Sequence, residues 1–381
     1  MKKNILLLNV HTFLSTFILY YICDILFYIE RGLTSSQYIS FVGVTYLVQL
    51  LLEVPLGVLA DKYNKKFMLL GSNLLFIIST IIFVDSYSYL GFLLAVIFSA
   101  LSSSLSSGIV NSFLYESILD KGEFQKILFF NSCFYNVSYM LAMLIGGYVG
   151  SRFGLSYTYY LTLIPLCLDF LVILLVNYKY DNKIKIKNGS IPILKQGLLE
   201  LKNNPYILKL IVKSAVLFAG IKLLEESHPQ YSENIGLSLI VISVYTAFIL
   251  LFSILGSFLG SKVKASNYKF ILNIHPLIVG LCIILIGILN NILGIGFILI
   301  IYIFSESFDN VMISELHNNI SSTSRVTIES IKEFVLGIVG VVFSLLMVIL
   351  LKFVSISVMY IVIGGIIILL EVIGERYAKK C

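Results

Sequence analysis

Long apolar stretches alternate with short polar segments along the whole chain. Stretches of about 20 apolar residues cross the roughly 30 Å hydrocarbon layer of a membrane as helices. The twelve predicted spans are 5–29, 38–60, 67–85, 89–115, 127–150, 155–177, 206–224, 237–260, 268–289, 292–314, 327–351 and 355–374. Backbone polar groups find no water in the hydrocarbon, so each span is predicted to be helical. The pattern therefore predicts an all-α polytopic membrane protein.

The composition agrees with this class. The 381 residues are 58% hydrophobic and 13% charged, whereas a soluble domain is roughly 45–50% apolar and about 25% charged. The five cysteines and four histidines are scattered without the spacing of a metal site. The glycine-rich phosphate-binding loop of ATP-driven pumps is missing as well. We therefore expect no metal, no cofactor and no covalent chemistry, so the chain is not predicted to be an enzyme.

The lysine and arginine positions predict the orientation. With a cytoplasmic N-terminus and alternating spans, twenty of these residues fall in cytoplasmic segments and four in external ones. This bias follows the positive-inside rule. It predicts a protein of the cytoplasmic membrane with both termini in the cytoplasm. The net charge of +6 then reflects topology, and no nucleic-acid partner is expected.

The longest hydrophilic gap separates six spans from six. It begins as a lysine-rich tether, and residues 193–201 have leucines spaced either for an amphipathic helix on the inner leaflet or for a plain linker. The predicted organisation is an N-terminal six-helix bundle (1-178), a cytoplasmic linker (179-204) and a C-terminal six-helix bundle (205-381). Two sets of six spans suggest two related halves.

The segment GVLADKYNKK, residues 57–66, interrupts the apolar pattern between spans 2 and 3. Gly57 allows close helix packing, and Asp61 lies where span 2 ends. Asn64 is one of the few residue types other than glycine that tolerate a left-handed turn. The lysines that favour the cytoplasmic side and anionic lipid are Lys62, Lys65 and Lys66.

This segment resembles the loop 2–3 signature of the major facilitator superfamily, G-x-L-a-D-r-x-G-r-k, with Asn64 in place of the usual glycine. Further segments resemble drug-efflux-type members of that superfamily. Their matching residues are Glu53 and Pro55 before the loop, Tyr115 and Glu116 at the end of span 4, and Arg325 and Thr327 before span 11. However, span 5 lacks the glycine-proline signature of antiporters, and span 4 lacks the arginine of many proton-coupled exporters.

The resemblance implies a transporter of two bundles, whose central cavity opens alternately to each side as the halves rock. Asp61 would act as a conformational latch attracted to the positive N-terminal end of helix 11, with Thr327 near its target. The residues implied in the latch are Gly57, Asp61, Lys62, Asn64, Lys65 and Lys66. The implied gating or family-motif residues are Tyr115, Glu116, Arg325 and Thr327.

Carboxylates inside spans are costly, at about 2.5–3.5 kcal/mol each at a helix centre, and are therefore functional candidates. The candidates for proton coupling or substrate binding are Asp24, Glu53, Asp169, Glu306 and Asp309. Asp24 can alternatively reach the membrane interface, and Asp169 lies on a helix that is often peripheral in the superfamily. Glu306 and Asp309 share a helix face, and Lys209 or Lys213 is their alternative partner.

The fourth span contains an unusual run, Ser99–Phe113, in which seven residues are serine. Small polar residues permit close helix packing, and they can also line a cavity. Close packing alone is the favoured interpretation.

The function that we predict is export of a small hydrophobic or amphipathic molecule in exchange for protons, by a monomer in the lipid bilayer. Import of a sugar, amino acid or peptide is the main alternative. More remote alternatives are a polytopic membrane enzyme, a lipid flippase, and a receptor or immunity protein that does not transport.

Overall fold

The computed structural model describes residues 2–62, 64–106, 109–116, 124–177, 204–320 and 325–378. Within these ranges all regular structure is helical, which confirms the predicted all-α membrane fold. The helices before the linker are α1 (Lys2–Thr16), α2 (Asp24–Glu30), α3 (Ser35–Lys62), α4 (Lys65–Asp85), α5 (Tyr89–Ser106), α6 (Ile109–Glu116), α7 (Phe124–Phe153) and α8 (Leu155–Leu175). The helices after it are α9 (Pro205–Asn234), α10 (Leu239–Ser261), α11 (Tyr268–Leu289), α12 (Leu293–Asn318), α13 (Arg325–Leu350) and α14 (Ile356–Ala378).

Eleven segments of the described chain are long and apolar enough to cross a membrane. The predicted span 206–224 is not among them, although the 30-residue helix α9 occupies its place. The reason is charge, because α9 contains Lys209, Lys213, Lys222, Glu225 and Glu226. The predicted spans are therefore confirmed as helices. One of these helices, α9, is more polar than a typical span.

The first span is broken, although the sequence predicts one helix over residues 5–29. Helix α1 ends at Thr16, and a 3₁₀ turn, Leu19–Ile22, leads to α2. The backbone N–H of Leu19 donates to the hydroxyl of Thr162 at 3.0 Å, so this amide stays satisfied at the break. Gly146 makes room, because a Cβ on it would lie 2.0 Å from the carbonyl oxygen of Leu19.

The outward surfaces of the helices carry large apolar side chains. Leu51 is 63% exposed, Leu171 55% and Leu345 58%. Soluble monomers rarely expose such extended apolar surface, whereas lipid tails cover it without cost. The surface therefore supports the membrane assignment.

The helices form two compact units. Unit 1 consists of residues 1–34, 47–186 and 238–247, and unit 2 of residues 35–46, 187–237 and 248–381. Helix α3 thus contributes its first part to unit 2 and the remainder to unit 1. The predicted bundle limits 1-178 and 205-381 stay a prediction. The predicted linker, up to residue 203, and its candidate helix 193–201 lie outside the described residues.

Unit 1 contains two apolar clusters. The first consists of Leu8, Met68, Leu69, Ile109, Phe113, Leu114, Ile173 and Val176. The second consists of the buried aromatic residues Tyr20, Phe27, Tyr28, Phe83, Phe92 and Tyr159, with the Tyr20 and Tyr159 rings stacked at 4.1 Å. Along α4 and α8 the residues between the two clusters include buried polar side chains. These side chains, together with polar residues of α1, α5 and α7, line a cavity in unit 1.

Candidate functional site

A cavity of about 330 Å³ lies within unit 1. Helices α1, α4, α5, α7 and α8 all contribute to its wall. Its hydroxyl and amide side chains are those of Thr12, Ser15, Thr16, Ser72, Asn73, Ser99, Ser102, Ser103, Ser106 and Asn131. Its aromatic rings are those of Tyr21, Phe76 and Tyr135. The wall therefore offers hydrogen bonds and aromatic contacts to a small molecule.

The serine-rich fourth span supplies much of this polar wall. Ser99, Ser102, Ser103 and Ser106 line the cavity from α5. The interpretation of close packing alone is therefore wrong. The run also packs closely, because the Ser72 hydroxyl donates to the carbonyl oxygen of Ser102 at 2.8 Å and Ser102 donates back at 2.7 Å. Spacing alone could not separate the two roles, since both need small polar side chains.

A buried hydrogen bond between His11 and Asp169 joins α1 to α8 at the cavity wall. His11 Nδ1 lies 2.7 Å from Asp169 Oδ1, and the side chains are 7% and 0% exposed. The second carboxylate oxygen of Asp169 accepts a hydrogen bond from Asn73 Nδ2 at 2.8 Å. Both oxygens of this fully buried carboxylate thus have partners, as burial of a charge requires.

Asn73 connects the His11–Asp169 pair to α4. Its Nδ2 donates to Asp169 and also to the carbonyl oxygen of Leu166 at 3.2 Å. Its Oδ1 is buried and accepts no hydrogen bond from the part of the chain that the structure describes. Because both partners of Nδ2 are acceptors, the orientation of the amide is fixed. A buried acceptor atom is therefore left without a partner among the described residues.

Asn131 cross-links two helices of the cavity wall. Its Nδ2 donates to Asn9 Oδ1 at 2.9 Å and to Thr12 Oγ1 at 2.8 Å. These bonds tie α7 to α1 within one turn of His11 on either side. A polar cross-link of this kind fixes the wall without adding charge.

Asp169 is the predicted membrane acid that the structure places in the cavity. Its helix is indeed partly peripheral, since Leu168 and Leu171 on α8 are exposed, but Asp169 itself faces inward. Asp24 instead accepts a hydrogen bond from Tyr159 at the start of α2, beside the aromatic cluster. It is not part of the cavity wall.

Glu306 and Asp309 lie on α12 in unit 2 and are not part of this cavity. Lys213, their suggested alternative partner, pairs with another acid. Its Nζ lies 2.5 Å from Glu371 Oε1 and 2.9 Å from Asn273 Oδ1. A role for Glu306 or Asp309 in proton coupling stays a prediction.

The described part of the loop 2–3 motif does not use the left-handed conformation that Asn64 could tolerate. Asn64 has φ −65° and ψ 115°, which is extended and not left-handed. Its side chain caps α4, accepting a hydrogen bond from Lys66 N at 2.9 Å. The Lys66 ammonium donates to the carbonyl oxygen of Leu174 at 2.6 Å, and Lys65 is buried. The latch role of these residues stays a prediction.

Several predicted residues have side chains outside the described part of the structure. They are Glu53, Gly57, Asp61, Lys62, Tyr115, Glu116, Arg325 and Thr327. Their backbones belong to α3, α6 and α13.

Sequence reasoning missed His11 and Asn73. The signal that could have found them is a polar residue within an otherwise apolar window, since such residues in spans are functional candidates. Their partners are distant in sequence, with His11 and Asp169 158 residues apart. Only the packing of α1, α4 and α8 brings the three side chains together.

A helical membrane protein with apolar spans and a small polar cavity within one unit has the architecture of a solute transporter. The family profile described as Major Facilitator Superfamily matches residues 5–349. The chain therefore belongs to the major facilitator superfamily.

One curated relative is an uncharacterized MFS-type transporter of Methanocaldococcus jannaschii, 26% identical over 165 residues. The match spans 42% of this chain and 42% of the relative, less than half of either length. The activity and substrate of the whole protein are therefore matters for proposal.

Solved structures share the fold over nearly the whole chain. The nucleoside transporter NupG has a TM-score of 0.75 at 12% identity, covering 98% of both chains. The POT family transporter PepTSo has a TM-score of 0.77 at 13% identity, covering 100% of this chain and 98% of that one. A bacterial homolog of the human lysosomal transporter Spinster has a TM-score of 0.69 at 17% identity, covering 89% and 78%. Identities this low indicate the fold and not the substrate.

Proposed function

We propose that this chain is a secondary active transporter that exports a small amphipathic molecule in exchange for protons. The observation that carries the proposal is the cavity of about 330 Å³ in unit 1. Its size is at the lower end of the roughly 300–1,000 Å³ typical of small-molecule sites. Its wall combines aromatic rings with hydroxyl and amide groups, which suits a molecule with one apolar and one polar face.

The charges at the cavity wall favour an uncharged molecule. His11 and Asp169 are the charged or titratable residues in the wall other than the phenols of Tyr21 and Tyr135. These two are already paired with each other. A charged solute would find no counter-charge among the lining side chains, and burying it without one is costly.

The direction, the location and the oligomeric state rest on the sequence. The resemblance to drug-efflux-type members supports export, and the lysine distribution supports the cytoplasmic membrane with both termini inside. The latch role of Asp61 and alternating access follow from the same resemblance. We propose that the protein acts as a monomer.

Import of a sugar, amino acid or peptide is the second candidate. The observation in its favour is the high content of hydroxyl and amide side chains in the cavity wall. A polyhydroxylated solute would use these groups more fully than a mainly apolar one, and buried polar groups left unpaired weaken binding.

A pH-gradient assay in inverted membrane vesicles tests the proposal. An acid-trapped fluorescent dye reports the gradient while toxic amphipathic compounds are added one at a time. We expect at least one compound to release protons from the vesicles, and not from vesicles that lack the protein. Failure of the whole panel, together with sugar or peptide uptake by intact cells, would replace export with the second candidate.

A further inference from the structure

A similar three-residue cluster occurs in each unit. In unit 1 a basic residue of α1, an asparagine of α4 and an acid of α8 meet, namely His11, Asn73 and Asp169. In unit 2 a basic residue of α9, an asparagine of α11 and an acid of α14 meet, namely Lys213, Asn273 and Glu371. Counted by predicted spans, these helices are 1, 3 and 6 in one case and 7, 9 and 12 in the other.

The positions along the helices also correspond. His11 is the tenth residue of α1, and Lys213 is the ninth residue of α9. Asp169 is the fifteenth residue of α8, and Glu371 is the sixteenth of α14. In each unit the acid-bearing helix packs against both other helices of its cluster. Matching order and depth indicate that the two clusters are equivalent positions of related halves.

The basic residues differ in their chemistry. Lysine has an ordinary pKa of about 10.4 and carries its charge throughout the physiological range. Histidine is the side chain that ordinarily changes charge between about pH 5 and 8. The basic residue of the unit 2 cluster is therefore of a type that ordinarily stays charged near neutral pH, whereas that of the unit 1 cluster is of a type that ordinarily can gain or lose a proton.

The hydrogen bonds made by the asparagines of the two clusters also differ. Asn273 Oδ1 accepts a bond from the Lys213 ammonium at 2.9 Å. Asn73 instead donates to the Asp169 carboxylate, and its own Oδ1 accepts no bond from the described residues. The unit 1 cluster also lines the cavity, and none of the three unit 2 residues does.

We propose that His11, Asp169 and Asn73 form a proton-binding site, and that Lys213, Glu371 and Asn273 are its permanently charged structural counterpart. With Nδ1 held by Asp169, the other ring nitrogen of His11 takes up the proton. Asn73 holds the second carboxylate oxygen, which keeps Asp169 ionised as the partner of the imidazolium. Uptake of this proton changes the net charge of the cluster from −1 to 0. A net charge of 0 is also that of the Lys213 cluster in this proposal.

The surroundings contain few groups that compete for this proton. The other titratable side chains lining the cavity are the phenols of Tyr21 on the turn after α1 and Tyr135 on α7. On α4, Lys65 and Lys66 lie two turns from Asn73, and the Lys66 ammonium donates to the carbonyl oxygen of Leu174. On α8, Cys167 is exposed, and on α7 Cys133 does not line the cavity.

The proposal rests on the proposed function, because a proton site of this kind serves proton-coupled transport, but it can be tested without a transported compound. Protein labelled with [¹³Cε1]histidine is titrated in detergent micelles by NMR. The resonance of His11 is assigned by its loss in His11→Gln. His275→Gln is the matched control, since His275 is another buried histidine, bonded to the Phe304 carbonyl at 3.1 Å and outside the cavity.

In a titration from about pH 5 to 8, the range in which histidine ordinarily changes charge, we expect the His11 resonance to move and Asp169→Asn to change this response. His275→Gln leaves this titration unchanged. A His11 resonance that stays constant over this range, or that ignores Asp169→Asn, overturns the proton site. If His11 responds to pH but no compound is transported, the proton site is supported and the proposed function is refuted. If a compound is transported but His11 does not respond to pH, the proposed function is supported and the proton site is refuted.

The equivalence of the clusters has its own test. In His11→Lys the unit 1 cluster has the basic residue type of the unit 2 cluster. We therefore expect the melting temperature to stay within about two degrees of wild type. Proton release by this variant should no longer depend on pH. In His11→Leu the buried Asp169 lacks its cation, so the protein melts several degrees lower. For the reciprocal variants we expect the same order of melting temperatures, with Lys213→His close to wild type and Lys213→Leu lower. Equal melting of the lysine and leucine variants at position 11 would refute the equivalence.

Discussion

Gly364 and Gly280 bring α14 and α11 into backbone contact in unit 2. A Cβ on Gly364 would lie 2.4 Å from the carbonyl oxygen of Gly280 and 2.7 Å from Cγ1 of Ile284. Gly365, the next residue, has nothing within 4 Å of an added Cβ. Of these two adjacent glycines, Gly364 leaves no room for a side chain because the helices approach closely there, whereas Gly365 does leave room.

This contrast predicts opposite effects of the same substitution. Gly364→Ala forces two packed backbones apart and should destabilise the protein by about 1–3 kcal/mol. Gly365→Ala should be neutral or should stabilise α14 by up to about 1 kcal/mol, because alanine loses less backbone entropy. Thermal unfolding of both variants in detergent measures the difference. Equal melting temperatures would show that α11 and α14 are not in backbone contact.

Asn64 stands where the family signature has glycine, and the structure explains why it is tolerated. Its side chain caps α4 through Lys66 N. Removal of this cap in Asn64→Ala should cost about 1 kcal/mol, whereas Asn64→Gly should cost only a few tenths. Thermal unfolding compares the two variants, with Asn64→Asp as a control that keeps the cap. An alanine variant as stable as wild type would contradict the capping role.

The spans could be predicted from sequence because the membrane imposes a simple length and polarity requirement. Residues 65–85 and 155–175 form helices close to their predicted limits. The helices themselves follow from the need to satisfy backbone groups in hydrocarbon. Length and polarity are local properties of each segment, so a single sequence is enough to predict the spans.

The break in span 1 could not be predicted in the same way. Residues 17–23 contain neither glycine nor proline, and they are as apolar as their neighbours. The compensating hydroxyl, that of Thr162, comes from α8. A contact between residues so distant in sequence leaves no pattern in the segment that it stabilises.

The candidate site was predictable only in part for the same reason. Asp169 stood out as a carboxylate within an apolar window, whereas His11 looked like an isolated polar residue. Their pairing, and the role of Asn73, depend on how three helices pack. The sequence therefore identified the acid and not the cluster that gives it a function.

The latch hypothesis for Asp61 predicts a loss of transport without a loss of folding. Asp61→Asn keeps the size of the side chain and removes the charge that a helix N-terminus would attract. We expect normal melting in detergent and no net transport in the vesicle assay. Wild-type turnover in this variant would discard the latch role.

The cavity predicts that added bulk at its wall blocks transport. Ser103 lines the cavity from α5 and packs loosely enough to be exposed. Ser103→Leu should reduce transport at least tenfold while leaving thermal unfolding within about 0.5 kcal/mol of wild type, as for other surface substitutions. Ser151→Leu is the matched control, because Ser151 is exposed on α7 and outside the cavity. Equal losses in both variants would show that the cavity is not the site.

A reversible cross-link tests whether transport requires motion of α3 against α13. Within unit 2, a Cβ on Gly43 would lie 2.9 Å from Cβ of Ser344, slightly closer than the roughly 3.5–4.5 Å of a disulfide. In Gly43→Cys/Ser344→Cys, with exposed Cys167 replaced by serine, a small backbone shift permits the bond. Alternating access requires that some helix contacts made in one state separate in another, so oxidation should stop transport and a reductant should restore it. Each single-cysteine variant controls for the substitution itself. Undiminished transport by fully cross-linked protein would mean that α3 and α13 stay together throughout the cycle.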